Sequence, residues 1–119
     1  IYSFSQILVF MRMLLILFFV GSLSCSRAGD TLSVKTSAQC ESCKNRLETR
    51  LKKIKGIEAV SLNVENKLLT VVYASSIISK DAIEVKVTEI GYDANDLPAK
   101  KGAYKRLPQC CRKDYQGSH

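Results

Sequence analysis

Thr31-Leu32-Ser33-Val34-Lys35-Thr36-Ser37-Ala38-Gln39-Cys40-Glu41-Ser42-Cys43-Lys44 is the stretch on which the reading of the fold turns. Leu32 and Val34 alternate with polar neighbours, the period of a half-buried strand. Beyond Lys44 the period changes. Leu47, Leu51 and Ile54 recur at i, i+4 and i+7, a single apolar stripe, and Lys44, Arg46, Glu48, Arg50, Lys52 and Lys53 lie largely outside it. The switch from strand to helix falls on Cys40 and Cys43. Two thiols three positions apart at the start of a helix can converge on one soft cation. The positive end of the helix dipole also favours the thiolate, the form that binds metal.

Gly56 follows the last apolar residue of this helix, where helices commonly end. Ile57 to Val64 then alternates, with Val60, Leu62 and Val64 on one face. Glu65-Asn66-Lys67 is a polar break before the β-branched and aromatic run Leu68 to Tyr73, which together predict a hairpin. Ser79 can cap a second helix, with Asp81 in its first turn and Ile83, Val87 and Ile90 at helical spacing. Ile83, Val85 and Val87 also alternate, so a strand competes there. Helix is preferred because Gly91 stops it and because a fourth short strand, Tyr92 to Leu97, completes a symmetrical plan. The expected class is α+β: a ferredoxin-like βαββαβ sandwich over residues 30–97, with a four-stranded antiparallel sheet and two helices on one face. So small a core implies modest stability.

Outside this unit, residues 1–28 are expected to be a signal peptide or N-terminal extension. Met11-Arg12-Met13, the apolar run Leu14 to Val20 and the small residues to Ala28 have the order of an export signal, with translation starting at Met11 or Met13 and cleavage after Ser24, Ser26 or Ala28. Lipid attachment at Cys25 or an uncleaved anchor are the alternatives. Ser22-Leu23-Ser24-Cys25 sets Leu one place late for a bacterial lipoprotein signal. Residues 98–119 form a basic, cysteine-containing tail, rich in Lys, Gly and Gln, in which Leu107-Pro108 can fold back but much of the rest is expected to be mobile. Charge divides the same way. Residues 30–96 hold ten Lys/Arg and ten Asp/Glu, whereas Lys100, Lys101, Lys105, Arg106, Arg112 and Lys113 face the single acid Asp114 in the tail. Such a tail can touch anionic lipid. No interleaved aromatic pattern accompanies it, which argues against nucleic acid.

The five cysteines, Cys25, Cys40, Cys43, Cys110 and Cys111, make a poor disulfide framework, an odd number with two close pairs. Three phrases then point to one family: Cys40-x-x-Cys43 in the first strand–helix loop, Ile54-Lys55-Gly56-Ile57-Glu58-Ala59-Val60, and Ile90-Gly91-Tyr92-Asp93-Ala94. With this order of elements the chain resembles the heavy-metal-associated domain family, which includes copper chaperones, amino-terminal modules of metal-exporting ATPases and periplasmic mercury-binding proteins. The resemblance covers Thr31 to about Leu97. It implies that Cys40 and Cys43 are the metal ligands and that Tyr92 is the aromatic beside the metal loop. Two positions depart from the family. Ala38 stands where a Met is usual, and Gln39 where Thr or His precedes the first cysteine.

Two thiolates suit Cu(I) or Hg(II), with Zn(II) behind them because it calls for more ligands. The expected function is a monomeric carrier in the periplasm or cell envelope. It would pass its ion by ligand exchange to a membrane metal transporter or metal-exporting ATPase, and it would not be an enzyme. Cys110 and Cys111 are a second soft-metal site, supplementary ligands for the first, or free or disulfide-paired thiols in a flexible end. A thiol-disulfide oxidoreductase and a disulfide-bonded interaction module are the alternatives. Against the oxidoreductase, the chain has no Trp, and Pro98 and Pro108 lie outside the domain. With His119 as the sole histidine, no hydrolytic constellation is available.

Overall fold

The computed structural model describes residues 4–17 and 29–115 of the chain. Cys25, the candidate cleavage positions and His119 lie outside the described residues. Within the expected leader, Phe4–Leu17 is a helix, α1, whose apolar side chains from Phe4 to Leu15 are exposed. Among the described residues no helix is long and apolar enough to cross a membrane.

The core unit begins with β1 (Asp30–Lys35), followed by α2 (Glu41–Lys52), β2 (Ile57–Asn63), β3 (Leu68–Tyr73) and α3 (Lys80–Ile90). β3 is the central strand and pairs antiparallel with β1 on one side and β2 on the other. Strand alternation puts Val34, Val60, Leu62, Leu69 and Val71 into the core, where α2 contributes Cys43, Leu47 and Leu51 and α3 contributes Ile83, Val87 and Ile90. Each Leu or Ile so buried contributes about 1.5–3 kcal/mol. α2 is tied directly to the sheet edge, since the Leu62 amide donates to Glu48 Oε1 at 3.0 Å. In the hairpin, Asn63 Oδ1 accepts from the amides of Glu65 and Asn66, and Lys67 takes a positive φ of 59° to reverse the chain.

The segment that could have been helix or strand is helix. A strand would put Val85 on the same face as Ile83 and Val87, but Val85 is exposed and the other two are fully buried. Ser79 caps it, its hydroxyl accepting from the Ala82 amide at 3.1 Å.

The fourth strand is corrected: among the described residues the sheet has three strands. Tyr92 to Leu97 makes only two isolated bridges, Thr36 with Ala94 and Ala94 with Leu97. Asn95 explains the difference. Its φ of 51° turns the chain back at once, so that Ala94 and Leu97 bond to each other at 2.9 Å instead of extending along β1. Asn95 nevertheless covers the end of that edge. The Lys35 amide donates to its Oδ1 at 2.9 Å, and its own amide donates to the Lys35 carbonyl at 2.8 Å.

The tail also departs from expectation. α4 (Lys101–Lys105) and a 3-10 turn (Gln109–Cys111) fold back, burying Ala103, Leu107 and Cys111. The contact runs through the end of α3. The Lys100 amide donates to the Thr88 carbonyl at 3.0 Å. Gly91, with φ at +121°, closes α3 where a Cβ would lie 3.0 Å from both the Ala103 carbonyl oxygen and Leu107 Cγ. Glycine is therefore required here for its backbone angle and for the close approach of the tail.

Candidate metal centre

Cys40 is the N-cap of α2, with extended backbone angles (φ −150°, ψ 168°), and its carbonyl accepts the first helical bond from Lys44 at 3.0 Å. Cys43 lies one turn in, at the head of the buried stripe Cys43, Leu47, Leu51. The strand-to-helix switch thus leaves one thiol partly exposed and packs the other inside. Their sulfurs are 3.1 Å apart, and both are free thiols. The loop before them is held by the Thr36 hydroxyl, which donates to the Lys67 carbonyl at 3.0 Å and accepts from the Ala38 amide at 3.3 Å.

The tail brings the second cysteine pair to the same place. Cys111 Sγ lies 3.9 Å from Cys40 Sγ and 3.9 Å from Cys110 Sγ, and the sulfurs of Cys40, Cys110 and Cys111 all fall within 4.8 Å of one another. Cys111 is buried while Cys110 is exposed. Gln39, the unusual residue before the first cysteine, holds this arrangement. Its Nε2 donates to the Cys110 carbonyl at 3.2 Å and to the Arg112 carbonyl at 2.7 Å. Asp93 adds a clamp, accepting from the Ala99 amide at 2.9 Å and from Lys113 Nζ at 2.7 Å. Tyr104 closes the arm on itself by donating to Asp114 and accepting from the Lys113 amide.

The thiols do not share one acidity. Burial raises Cys43, but a bond from the Gln39 backbone and the neighbouring thiols of Cys40 and Cys111 outweigh it, and the net shift is downward from 9.0. Cys40 moves the other way, raised by burial and by its hydrogen bond with Cys43. Of the two, Cys43 is the thiol whose surroundings favour the anion. Burial pushes the Cys111 thiol up to about 12, its bond with Cys43 adding to the rise. Tyr92 is fully buried and its hydroxyl has no hydrogen-bond partner; burial and the thiols of Cys43 and Cys111 hold its proton on. An orphaned buried hydroxyl beside sulfurs costs stability in the free protein, and it leaves a donor ready for thiolates.

The structure thus groups the sulfurs of Cys40, Cys110 and Cys111 and sets Cys43 3.1 Å from Cys40, with Tyr92 beside the thiols of Cys43 and Cys111. The sequence reading did not assign roles to Gln39, Asp93 or Lys113. The one signal pointing to them was that Gln39 broke the family's pattern.

Residues 37–93 match the heavy-metal-associated domain. A copper-exporting P-type ATPase of Staphylococcus saprophyticus is 36% identical over 70 residues, which are 57% of this chain and 9% of the ATPase, so the chain spans about a tenth of the length of that relative. Among solved structures, the N-terminal domain of a potential copper-translocating P-type ATPase from Bacillus subtilis, in the Cu(I)-loaded state, superposes with a TM-score of 0.53 at 26% identity, covering 56% of this chain and 85% of that one. A CopZ metallochaperone shares the fold with a TM-score of 0.53 at 24% identity, covering 55% of this chain and 98% of its own.

Proposed function

We propose that the heavy-metal-associated domain carried by this chain at residues 37–93 binds one soft ion, Cu(I) ahead of Hg(II) and Zn(II), through the thiolates of Cys40 and Cys43. The ion is cargo, passed by ligand exchange to a metal-exporting ATPase or another membrane transporter. The observation that carries this reading is the pair of free sulfurs 3.1 Å apart across the first turn of α2, one of them partly exposed. A soft ion prefers thiolate, the dipole of α2 favours the anionic form, and an ion reached through an exposed ligand can be handed on. The copper-associated names of the relatives favour Cu(I) within that class.

Transfer follows from this coordination. An incoming thiolate adds to the ion, a three-sulfur intermediate forms, and of the pair the bond to Cys40 breaks before that to Cys43 because Cys40 is the partly exposed member. The leaving thiolate takes a proton from solvent. The export order of residues 11–28 supports a place in the cell envelope, tested by locating the full chain after cell fractionation.

The test is anaerobic native mass spectrometry of the reduced protein offered equal Cu(I), Hg(II) and Zn(II). One ion retained per chain, lost on Cys40→Ser and on Cys43→Ser, supports the carrier. Retention by both variants at the parent's level, or no retention by the parent, overturns it.

A further inference from the structure

We infer that the C-terminal arm supplies a third sulfur ligand, Cys111, so that the ion sits in a trigonal site which the arm opens and closes. This rests on the carrier reading of Cys40 and Cys43. Four observations carry it.

First, the spacing. At a metal–sulfur distance of about 2.3 Å, three sulfurs around one ion lie about 4.0 Å apart, and two sulfurs in a line about 4.6 Å. Cys40 and Cys111 already stand 3.9 Å apart. The Cys40–Cys43 pair, at 3.1 Å, has less far to open for the trigonal arrangement than for the linear one. Second, the burial. Cys111 is 1% exposed while its neighbour Cys110 is exposed, so the fold selects one of two adjacent thiols and turns it inward.

Third, the anchoring. The arm is fixed on both sides of Cys111. Gln39 bonds the carbonyls of Cys110 and Arg112, and Asp93 bonds Lys113. A segment that merely packed against the domain would not need a side chain from the metal loop itself. Fourth, the bracing. Arg112, directly after Cys111, donates from Nε to the Leu107 carbonyl at 3.2 Å and from Nη2 to the Lys105 carbonyl at 2.6 Å, so the segment that carries Cys111 is held as one folded unit.

On loading, Cys111 releases its proton to solvent as its sulfur joins the ion. On delivery, the arm lifts, the Cys111–metal bond breaks, and the sulfur regains a proton from solvent. The partner's thiolate enters the third position as Cys111 leaves it, so the exchange starts and ends with three sulfurs on the ion. The arm therefore retains cargo until a partner displaces it.

X-ray absorption spectroscopy of the Cu(I)-loaded protein reads the number of sulfur neighbours, and competition with a small dithiol chelator reads affinity. The expected result is three sulfurs in the parent and in Cys110→Ser, and two in Cys111→Ser with affinity lower by at least about tenfold, the smaller end of what loss of a supporting group costs a metal site. Gln39→Ala, which leaves every thiol in place, should lower the mean count toward two and speed loss of the ion to the chelator, guarding against a folding defect in Cys111→Ser. Two sulfurs in the parent, or an unchanged count in Cys111→Ser, overturns the third ligand. So does loss of a sulfur in Cys110→Ser with three kept in Cys111→Ser. In each of these cases an ion still lost on Cys40→Ser leaves the carrier standing, whereas no ion bound by the parent removes both.

Discussion

Gln39→Ala isolates the attachment of the arm from the chemistry of the thiols. The side chain makes two neutral bonds from one nitrogen, 2.7 Å to the Arg112 carbonyl in a partly buried setting and 3.2 Å to the Cys110 carbonyl in an exposed one. A typical intramolecular bond contributes about 0.5–1.5 kcal/mol net, and the exposed one belongs at the lower end. Their joint loss should therefore weaken docking of the arm by about 1–2 kcal/mol, a factor of about 5–30 in the docked-to-open ratio. Cys111 reports that ratio directly, because at 1% exposure it reacts only when the arm is open. When opening and closing are fast relative to the chemistry, its modification rate follows the open population. The assay is iodoacetamide labelling of the metal-free, reduced protein at fixed pH, with each cysteine followed by peptide mass spectrometry. Labelling of Cys111 should rise about 5–30-fold in Gln39→Ala, while exposed Cys110 serves as the internal standard with little change. An unchanged Cys111 rate would refute the reasoning, because the two bonds would then not hold the arm closed.

Three further substitutions or conditions probe the same region. Tyr92→Phe removes the orphaned hydroxyl, so urea unfolding should show the metal-free protein unchanged or more stable by about 1 kcal/mol, with the gain absent from the loaded protein; a metal-free variant less stable by more than that would mean the hydroxyl is already bonded to the thiols. Gly91→Ala places a side chain at φ +121° and a Cβ 3.0 Å from the Ala103 oxygen, which should cost about 1–3 kcal/mol in thermal unfolding and expose Cys111 to labelling. The Asp93–Lys113 clamp sets a pH window. Despite partial burial, Lys113 holds the Asp93 carboxyl below its ordinary 3.8, and Asp93 holds Lys113 above 10.5. Its contribution is therefore complete between those ordinary values, falls as pH drops through the depressed carboxyl pKa, and falls again as pH rises through the elevated lysine pKa. Amide hydrogen exchange over residues 108–113, scaled to a reference peptide, should show protection declining at both ends, and Lys113→Ala should flatten the profile.

The domain was legible in the sequence because its signals are local and redundant. The period-2 run of β1, the stripe Leu47, Leu51, Ile54 and the hairpin break each identify an element without knowledge of the others. The fourth strand was misread for a different reason: Tyr92 to Leu97 has strand-like composition, but one residue, Asn95, adopts a left-handed conformation and turns the segment into a tight reversal. Asn tolerates that region better than most residues, yet nothing in the pattern requires it. Beyond the fold-back at Leu107-Pro108, the order of the tail was missed because its composition is basic and poor in large apolar residues. Its buried positions are Ala103, Leu107 and Cys111, spaced by four. That is a faint helical stripe in which only Leu107 is a strong hydrophobe, and what it packs against is a backbone gap at Gly91 that no sequence period reports.

Three features that looked unrelated in the sequence meet at one point in the fold. A conventional two-thiol carrier has no use for Gln39 in place of Thr or His, for a chain that continues past residue 97, or for a second pair of cysteines. Folded, Gln39 bonds the carbonyls on either side of Cys111, the tail after Leu97 is the length that carries Cys111 back to the metal loop, and Cys111 arrives 3.9 Å from Cys40. Gly91 and Asp93, both within the phrase Ile90 to Ala94, serve the same docking through close approach and charge. A pair of thiolates with one partly exposed member can exchange with a competing thiol, whereas a third sulfur on an arm held by a few weak bonds adds retention that a partner can remove at little cost. The bonds from Gln39 and the Asp93–Lys113 pair are individually modest, so the arm is stable enough to close and weak enough to yield.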